Sequence, residues 1–121
     1  MIVSIDTGSR LSPYEQVRSQ VADQINTGEL PVGSKLPTVR NLAGDLGIAP
    51  NTVARAYREL EAAGLLETKG RAGTFVAAGK DKARRKAAAA AKSYARTVIS
   101  LGISDDEALA IVGAALRAES R

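Results

Sequence analysis

Apolar residues recur at three- and four-residue spacing along the first half of the chain, and this spacing predicts three helices. Each helix has one apolar stripe, so each is expected to bury one face in a common core. The second and third helices are short and are separated by the turn Gly47-Ile48-Ala49. The stripes consist of Tyr14, Val17, Val21 and Ile25, then Val39, Leu42, Ala43 and Leu46, and then Val53, Ala56, Tyr57 and Leu60.

Residues with strong positional preferences predict where these helices begin and end. Ser12-Pro13-Tyr14-Glu15 indicates a capping box with proline at the first helical position. Thr38 is expected to cap the second helix, and Ala49 or Pro50 is expected to open the third. Glycine commonly follows the last turn of a helix because it tolerates a left-handed backbone. The three helices are expected to close at Gly28, Gly47 and Gly64.

A glycine-rich basic turn, Gly70–Gly73, follows the third helix and lies between two β-prone runs. The runs Leu65–Lys69 and Thr74–Val76 therefore predict a hairpin. One more short strand is expected around Lys35-Leu36, and Met1–Arg10 is expected to form an extended arm. Two short helices joined by a tight turn and followed by a hairpin predict a winged helix-turn-helix. The fold class is therefore mainly α with a small β-hairpin (α+β).

The last third of the chain predicts a helical hairpin. Ala77–Asp81 is expected to be a linker, Lys82–Leu101 a long alanine-rich helix, and Ser104–Glu107 the capped start of a final helix. We therefore predict a DNA-binding domain over residues 1–78 and a dimerisation hairpin over residues 79–121. The final helix has an apolar stripe that a monomer has little core to cover, which favours pairing with a second copy. The expected interface residues are Tyr94, Val98, Leu101, Leu109, Val112 and Leu116.

The composition excludes several classes of functional site but does not by itself identify the function. The chain of 121 residues has no Cys and no His, which excludes disulfides, the usual zinc sites and Cys or His nucleophiles. No nucleophile–base pair or phosphate-binding loop is present, so we expect neither an enzyme nor a cofactor. Met1–Arg10 lacks the apolar core of a signal peptide, and no apolar run approaches the ~18 residues of a membrane span. We therefore expect a cytoplasmic, nucleoid-associated protein.

Charge is distributed unevenly along the chain. The formal net charge is +4, yet residues 1–79 carry 8 basic and 8 acidic side chains, and residues 80–121 carry 9 and 5. Overall basicity therefore does not identify the first domain as a DNA-binding domain, and the local placement of its arginines and lysines matters more.

Four sequence strings, in order, resemble the GntR family of bacterial transcription regulators, and in particular its short YtrA-like branch. The strings are Pro13-Tyr14-Glu15-Gln16-Val17, Gly28–Ala43, Pro50–Glu61 and Gly73-Thr74-Phe75-Val76. The resemblance covers residues 12–77, and the C-terminal hairpin is similar in length to the dimerisation module of that branch. Many family members have a basic residue where this chain has Pro50, so a base-reading arginine is not transferred to that position.

The resemblance implies a sequence-specific regulator, mainly a repressor, that binds a palindromic operator as a homodimer. If Val53, Ala56 and Tyr57 face the core, Asn51, Arg55 and Arg58 lie on the opposite surface of the recognition helix, where arginine reads guanine and asparagine reads adenine. Thr52 suits a phosphate contact near the helix start, and the basic wing suits a minor groove. The expected DNA-binding residues are Lys35, Thr38, Arg40, Asn51, Thr52, Arg55, Arg58, Lys69, Gly70 and Arg71.

Simpler interpretations of these residues remain open at this point. Arg55 and Arg58 are also consistent with solvated helix arginines, and Arg58 with an ion pair to Glu59 or Glu61. Arg40 is also consistent with a salt bridge to Asp45 or Glu67. The wing also fits a plain exposed turn, and the basic run Lys80–Lys86 fits either a solvated linker or a backbone contact. Tyr14 and Tyr57 are expected in the core rather than in DNA stacking.

Two other functions are also consistent with the sequence. An architectural DNA-binding protein without operator specificity fits the basic segment 80–96, and a protein-interaction module fits the neutral charge of residues 1–79. A two-helix hairpin can hardly enclose the ~300 Å³ of a typical ligand pocket. A small-molecule effector, which the family makes possible, is therefore expected at the dimer interface.

Overall fold

The computed structural model describes residues 1–119, and it confirms a mainly helical fold with one two-stranded antiparallel sheet in that range. The first three helices are α1, α2 and α3, the strands are β1 and β2, and the last two helices are α4 and α5. Their bounds are Pro13–Asn26, Val39–Leu46 and Pro50–Ala62, then Leu66–Thr68 and Thr74–Val76, and then Lys82–Ser100 and Asp105–Ala118. The chain forms two compact units, one up to Arg84 and one from Arg85 onward.

The core of the first unit is built from the predicted stripes. Helix α3 packs against α1, α2 and β1, and the side chains of Val17, Val21 and Val53 have no exposed surface. Tyr57 is also in this core, at 6% exposed, as predicted. Tyr14 departs from the prediction because it is only half-buried and lies outside the core cluster.

Most predicted helix ends are confirmed, but the Ser12 side chain makes a different hydrogen bond from the one predicted. Thr38 accepts a hydrogen bond from the Asn41 amide at 3.1 Å, and Gly47 adopts the left-handed conformation after α2. Ser12 is the N-cap of α1, but its side chain does not cap the backbone as a capping box requires. Its hydroxyl instead donates to the Glu15 carboxylate at 2.9 Å.

The N-terminal arm is held on α1 by three glutamines spaced four residues apart. The Gln16 amide group bonds both the N–H and the C=O of Asp6, and that of Gln20 bonds both groups of Ser4. Gln24 donates to the Ile2 carbonyl at 2.6 Å. Four helical residues rise about 6.0 Å and two extended residues about 6.6 Å, so this spacing lets side-chain amides replace a partner strand. Gln16, at 6% exposed, also donates to the Leu11 carbonyl.

The predicted strand at Lys35-Leu36 is reduced to a single bridge, Lys35 opposite Phe75. Hydrogen bonds nevertheless extend on both sides of it: the Gly33 amide donates to the Val76 carbonyl and the Leu36 amide to the Thr74 carbonyl, each at 2.9 Å. The segment therefore lines the free edge of β2, opposite β1.

The second unit is a helical hairpin with little interior. Val98 and Ala108 are its buried apolar residues in the described range, at 8% and 7% exposed. The Tyr94 hydroxyl donates to the Ala108 carbonyl at 2.7 Å, and Ser104 caps α5 by accepting from the Glu107 amide at 3.2 Å. Large apolar side chains remain exposed, namely those of Ile99, Leu101, Leu109, Ile111 and Leu116.

Candidate nucleic-acid interface

Helices α2 and α3 form the predicted helix-turn-helix, and Tyr57 of α3 holds the start of α2. The Tyr57 ring lies in the core, and its hydroxyl donates to the Pro37 carbonyl, directly before α2, at 2.8 Å. Burial raises the pKa of Tyr57 to about 12, so the hydroxyl remains protonated and able to donate at neutral pH. The start of α2 is thereby fixed relative to α3.

The proposed contact residues on these helices are accessible. Thr38, Arg40, Asn51 and Arg58 are exposed, and Thr52 is half-buried. Among residues 1–119, Arg40 and Arg58 make no ion pair within 4 Å, so the salt bridges considered for them are not formed. Both guanidinium groups are therefore available to a ligand.

The start of α3 differs from the starts of α2 and α5. Its N-cap is Ala49, which has no side chain able to bond the first-turn amides, and Pro50 follows in the first turn. Pro50 has no N–H and the Thr52 amide already donates to the Ala49 carbonyl at 3.0 Å, so it is the Asn51 amide and the positive end of the helix dipole that favour an anion here. The Asn51 amide and the side chains of Asn51 and Thr52 can together meet a phosphate.

Arg55 has closer neighbours than the sequence suggested. Its guanidinium carbon lies 3.6 Å from the centroid of the Tyr14 ring, and its Nε lies 3.5 Å from the Glu59 carboxylate. Glu59 also accepts from Arg18 at 2.7 Å, and this hydrogen bond raises the pKa of Arg18. The side chain of Arg55 nevertheless remains 56% exposed. Glu59 is thus paired with Arg18 and Arg55, and not with Arg58.

The wing presents its basic residues in two different settings. Lys69 pairs with Glu67 at 3.4 Å and lies 5.2 Å from the Phe75 ring. Arg71 is exposed in a single turn of 3₁₀ helix, Gly70–Ala72, at the tip. No ion pair of Arg71 occurs within the described part of the chain, which leaves it the freer of the two to enter a groove.

Gly73 connects the wing to Lys35. Its φ of +115° is a conformation that favours glycine, and a Cβ placed on it would lie 2.9 Å from Cε of Lys35. The Lys35 side chain therefore passes directly over the wing turn, while the residue as a whole stays exposed. This brings a third cation close to the wing.

The exposed arginines and lysines of α2, α3 and the wing form a surface that suits a polyanion. Within residues 1–119, no group of acidic side chains is arranged to hold a metal ion. No helix in that range is long and apolar enough to cross a membrane.

Residues 13–76 match the family model for bacterial regulatory proteins of the gntR family. This match spans more than half of the chain and includes α1, α2, α3 and both strands. The chain belongs to the GntR family. The resemblance noted from the four sequence strings is therefore confirmed, and the family consists of transcription regulators and not of enzymes.

Individual relatives match the chain to different extents, and one of the matches is long enough to include part of the second unit. The HTH-type transcriptional regulator Rv1152 of Mycobacterium tuberculosis is 49% identical over 88% of this chain and 86% of its own length. The HTH-type transcriptional repressor YtrA of Bacillus subtilis is 40% identical over 62% of this chain and 58% of its own length.

Solved GntR structures agree with this fold. YtrA from Sulfolobus acidocaldarius, a GntR-family transcription factor, superposes with a TM-score of 0.59 at 30% identity, covering 78% of this chain and 99% of that one. The AraR DNA-binding domain in complex with operator ORX1 gives a TM-score of 0.57 at 30% identity, covering 63% of this chain and 96% of that one. The predicted winged helix-turn-helix is thus confirmed.

Sequence reasoning missed how three residues surround Arg55: Tyr14 and Arg18 on α1, and Glu59 on α3 itself. The sequence places Tyr14 in the core because it continues the stripe of α1, and it offers Glu59 as a partner for Arg58 instead of Arg55. Tyr14 and Arg18 are one turn apart in α1, which is the local sign that these two share a face.

Proposed function

We propose that this chain is a transcription repressor that binds a palindromic operator as a homodimer in the cytoplasm, in association with the nucleoid. The observation that carries this proposal is the placement of six exposed cations on α2, α3, the wing and the segment joined to it. The first domain, residues 1–78, binds DNA, and residues 79–121 form the dimer. The six cations are Lys35, Arg40, Arg55, Arg58, Lys69 and Arg71.

The individual roles follow from position and chemistry. Arg40, Asn51, Arg55 and Arg58 read base edges in the major groove. The tip of the wing, with Arg71 at its centre, enters the minor groove. Phosphates are bound by Lys35, Thr38, Thr52, Lys69 and the backbone of Gly70.

The in vitro selection of bound DNA from a random pool, at near-physiological salt, tests this function. Enrichment of a palindrome is expected, and Arg40→Ala and Arg55→Ala should each weaken binding to it by about 1–3 kcal/mol. Binding without enrichment would instead support the architectural alternative, for which the basic and exposed run Lys80–Lys86 is the observation in favour.

The dimer is proposed from the exposed apolar surface of the second unit. Leu101, Leu109 and Leu116 are 67%, 68% and 56% exposed. Val98 is already buried in the hairpin and Tyr94 bonds within it, so these two support the hairpin and the leucines, with Val112, meet the partner. A helical pair with so small an interior gains stability from a second copy. An effector, as proposed from the family, would bind between the two copies.

A charge introduced on this surface tests the dimer. Leu109→Lys combined with Leu116→Lys should give a monomer in sedimentation equilibrium and should weaken operator binding. Ala114→Lys is the matched control, because this exposed residue lies on the opposite side of α5 at 100° per residue. A dimer that persists in the double variant would contradict the proposed interface.

A further inference from the structure

Arg55 is the one proposed base-reading arginine that is held by other side chains in the free protein, within residues 1–119. Its guanidinium carbon lies over the Tyr14 ring, 3.6 Å from the centroid, which is a cation–π contact. Its Nε lies 3.5 Å from the carboxylate of Glu59, one turn further along α3. Arg40 and Arg58, by contrast, are exposed and without an ion pair in the described part of the chain.

Arg18 keeps the carboxylate in place. It donates to Oε1 of Glu59 at 2.7 Å, while Arg55 approaches Oε2, so each oxygen has one guanidinium partner. Two cations share one anion, and the cluster keeps a net positive charge. The carboxylate is therefore paired on both sides and repels a nearby phosphate less than a free glutamate would.

We propose that Tyr14 and Glu59 are positioning residues that fix the direction of the Arg55 guanidinium before DNA binds. An arginine that is disordered in the free protein loses rotamer freedom when it docks on a base, and prior ordering reduces that loss. The contacts use the ring face and Nε and leave 56% of the side chain exposed, so the guanidinium remains accessible to a base. This inference rests on the proposed role of Arg55 in DNA reading.

A double-mutant cycle on the selected operator tests the proposal. The variants are Tyr14→Leu, Arg55→Ala and the two together, with Tyr14→Phe as the matched control that keeps the ring. A cation–π contact at an exposed site corresponds to roughly a two- to fivefold change in affinity. Tyr14→Leu should weaken operator binding by that factor, Tyr14→Phe should bind like the native protein, and Tyr14→Leu should have no further effect once Arg55 is alanine.

Specificity gives a readout that a loss of stability would not produce. Tyr14→Leu should relax the preference at the base pair that Arg55→Ala affects, and should leave binding to random DNA unchanged. Equal weakening by Tyr14→Leu in the presence and absence of Arg55 would overturn the proposal, and so would tighter binding, which would mean that Tyr14 holds Arg55 away from DNA.

Glu59→Gln provides a second variant in case Tyr14→Leu does not fold. It removes a negative charge, so binding to random DNA should tighten while the ratio of operator to random affinity falls. An unchanged ratio would overturn the role of Glu59. If Arg55→Ala itself binds the operator like the native protein, the proposed reading role of Arg55 fails, which is a separate result.

Discussion

Tyr57→Phe is the sharpest test of how the recognition helix is fixed. The change removes the hydroxyl that donates to the Pro37 carbonyl at 2.8 Å and leaves the ring, 6% exposed, in its packing site. Pro37 is half-buried, so water can replace part of the lost interaction. The expected loss in the free energy of unfolding is about 1 kcal/mol at pH 8, with weaker operator binding because the start of α2 is less well fixed.

The same hydroxyl makes stability depend on alkaline pH. Burial raises the pKa of Tyr57 to about 12 from 10.0. Below pH 10 the hydroxyl keeps its proton in both the folded and the unfolded chain, so its contribution to the free energy of unfolding is fully present. Between pH 10 and 12 the unfolded chain releases the proton while the folded chain keeps it, and stability therefore falls as pH rises. At pH 11, one unit above the pKa of the unfolded chain, the free energy of unfolding is lower by roughly 1.4 kcal/mol, because each pH unit in this window is worth about 1.4 kcal/mol.

Urea unfolding of both proteins at pH 8 and pH 11 measures this difference. Other tyrosines and lysines titrate in both proteins, so they cancel when the two free energies are subtracted. The native protein should be about 1 kcal/mol more stable than Tyr57→Phe at pH 8 and no more stable at pH 11. An advantage that stays the same at both pH values would refute the link between burial of this hydroxyl and alkaline stability.

Three further changes test other parts of the first unit. Gln16→Leu removes three hydrogen bonds at a buried site and should cost about 2–3 kcal/mol of unfolding free energy in urea. Gln20→Leu, at a more exposed site, should cost under about 1 kcal/mol, and equal losses in the two variants would contradict the larger contribution assigned to Gln16. Arg71→Ala should reduce the salt dependence of operator binding by about one counterion; an unchanged slope would remove Arg71 from the interface. Gly73→Ala should lower the melting temperature through its φ of +115°, whereas Gly44→Ala, inside α2 with open space around it, should raise it.

The sequence predicts the helices and the wing well because their signals are local. Apolar spacing, the Thr38 cap and the glycine after each of the first three helices depend on residues within one or two turns. The same logic was incomplete for Lys35-Leu36, where pairing with β2 depends on residues about forty positions away in the chain and forms one bridge only. It was also incomplete for Ser12. A hydroxyl at this position can accept from a first-turn amide or donate to the Glu15 carboxylate, and in the structure it donates to Glu15.

The three glutamines that hold the N-terminal arm have a sequence signal that apolar spacing does not capture. Gln16, Gln20 and Gln24 recur every fourth residue on α1, which is the spacing that matches every second residue of an extended chain. The arm itself was expected, but its partner was not. Amide side chains at every fourth position of a helix that follows a predicted extended arm can therefore indicate where that arm binds.

The candidate site was predicted as a set of residues and not as a set of contacts. The exposed positions of Arg40, Arg58 and Arg71 follow from the faces of their elements. The surroundings of Arg55 do not, because Tyr14 and Glu59 come from two helices whose packing only the tertiary structure defines. Long polar side chains have several partners within reach, and a single sequence does not rank them.

The wing, α2 and α3 are joined by one short segment, residues 33–38. Its start pairs with β2, its Pro37 carbonyl accepts from Tyr57 of α3, and its last residue, Thr38, caps α2. A shift of this segment would therefore move the wing and the start of α2 together and would break the bond to α3. All three links join residues of the first unit, so the spacing between the wing and the recognition helix is set within that unit. The spacing between two operator half-sites must then be set elsewhere, which is the role we assign to the helical hairpin.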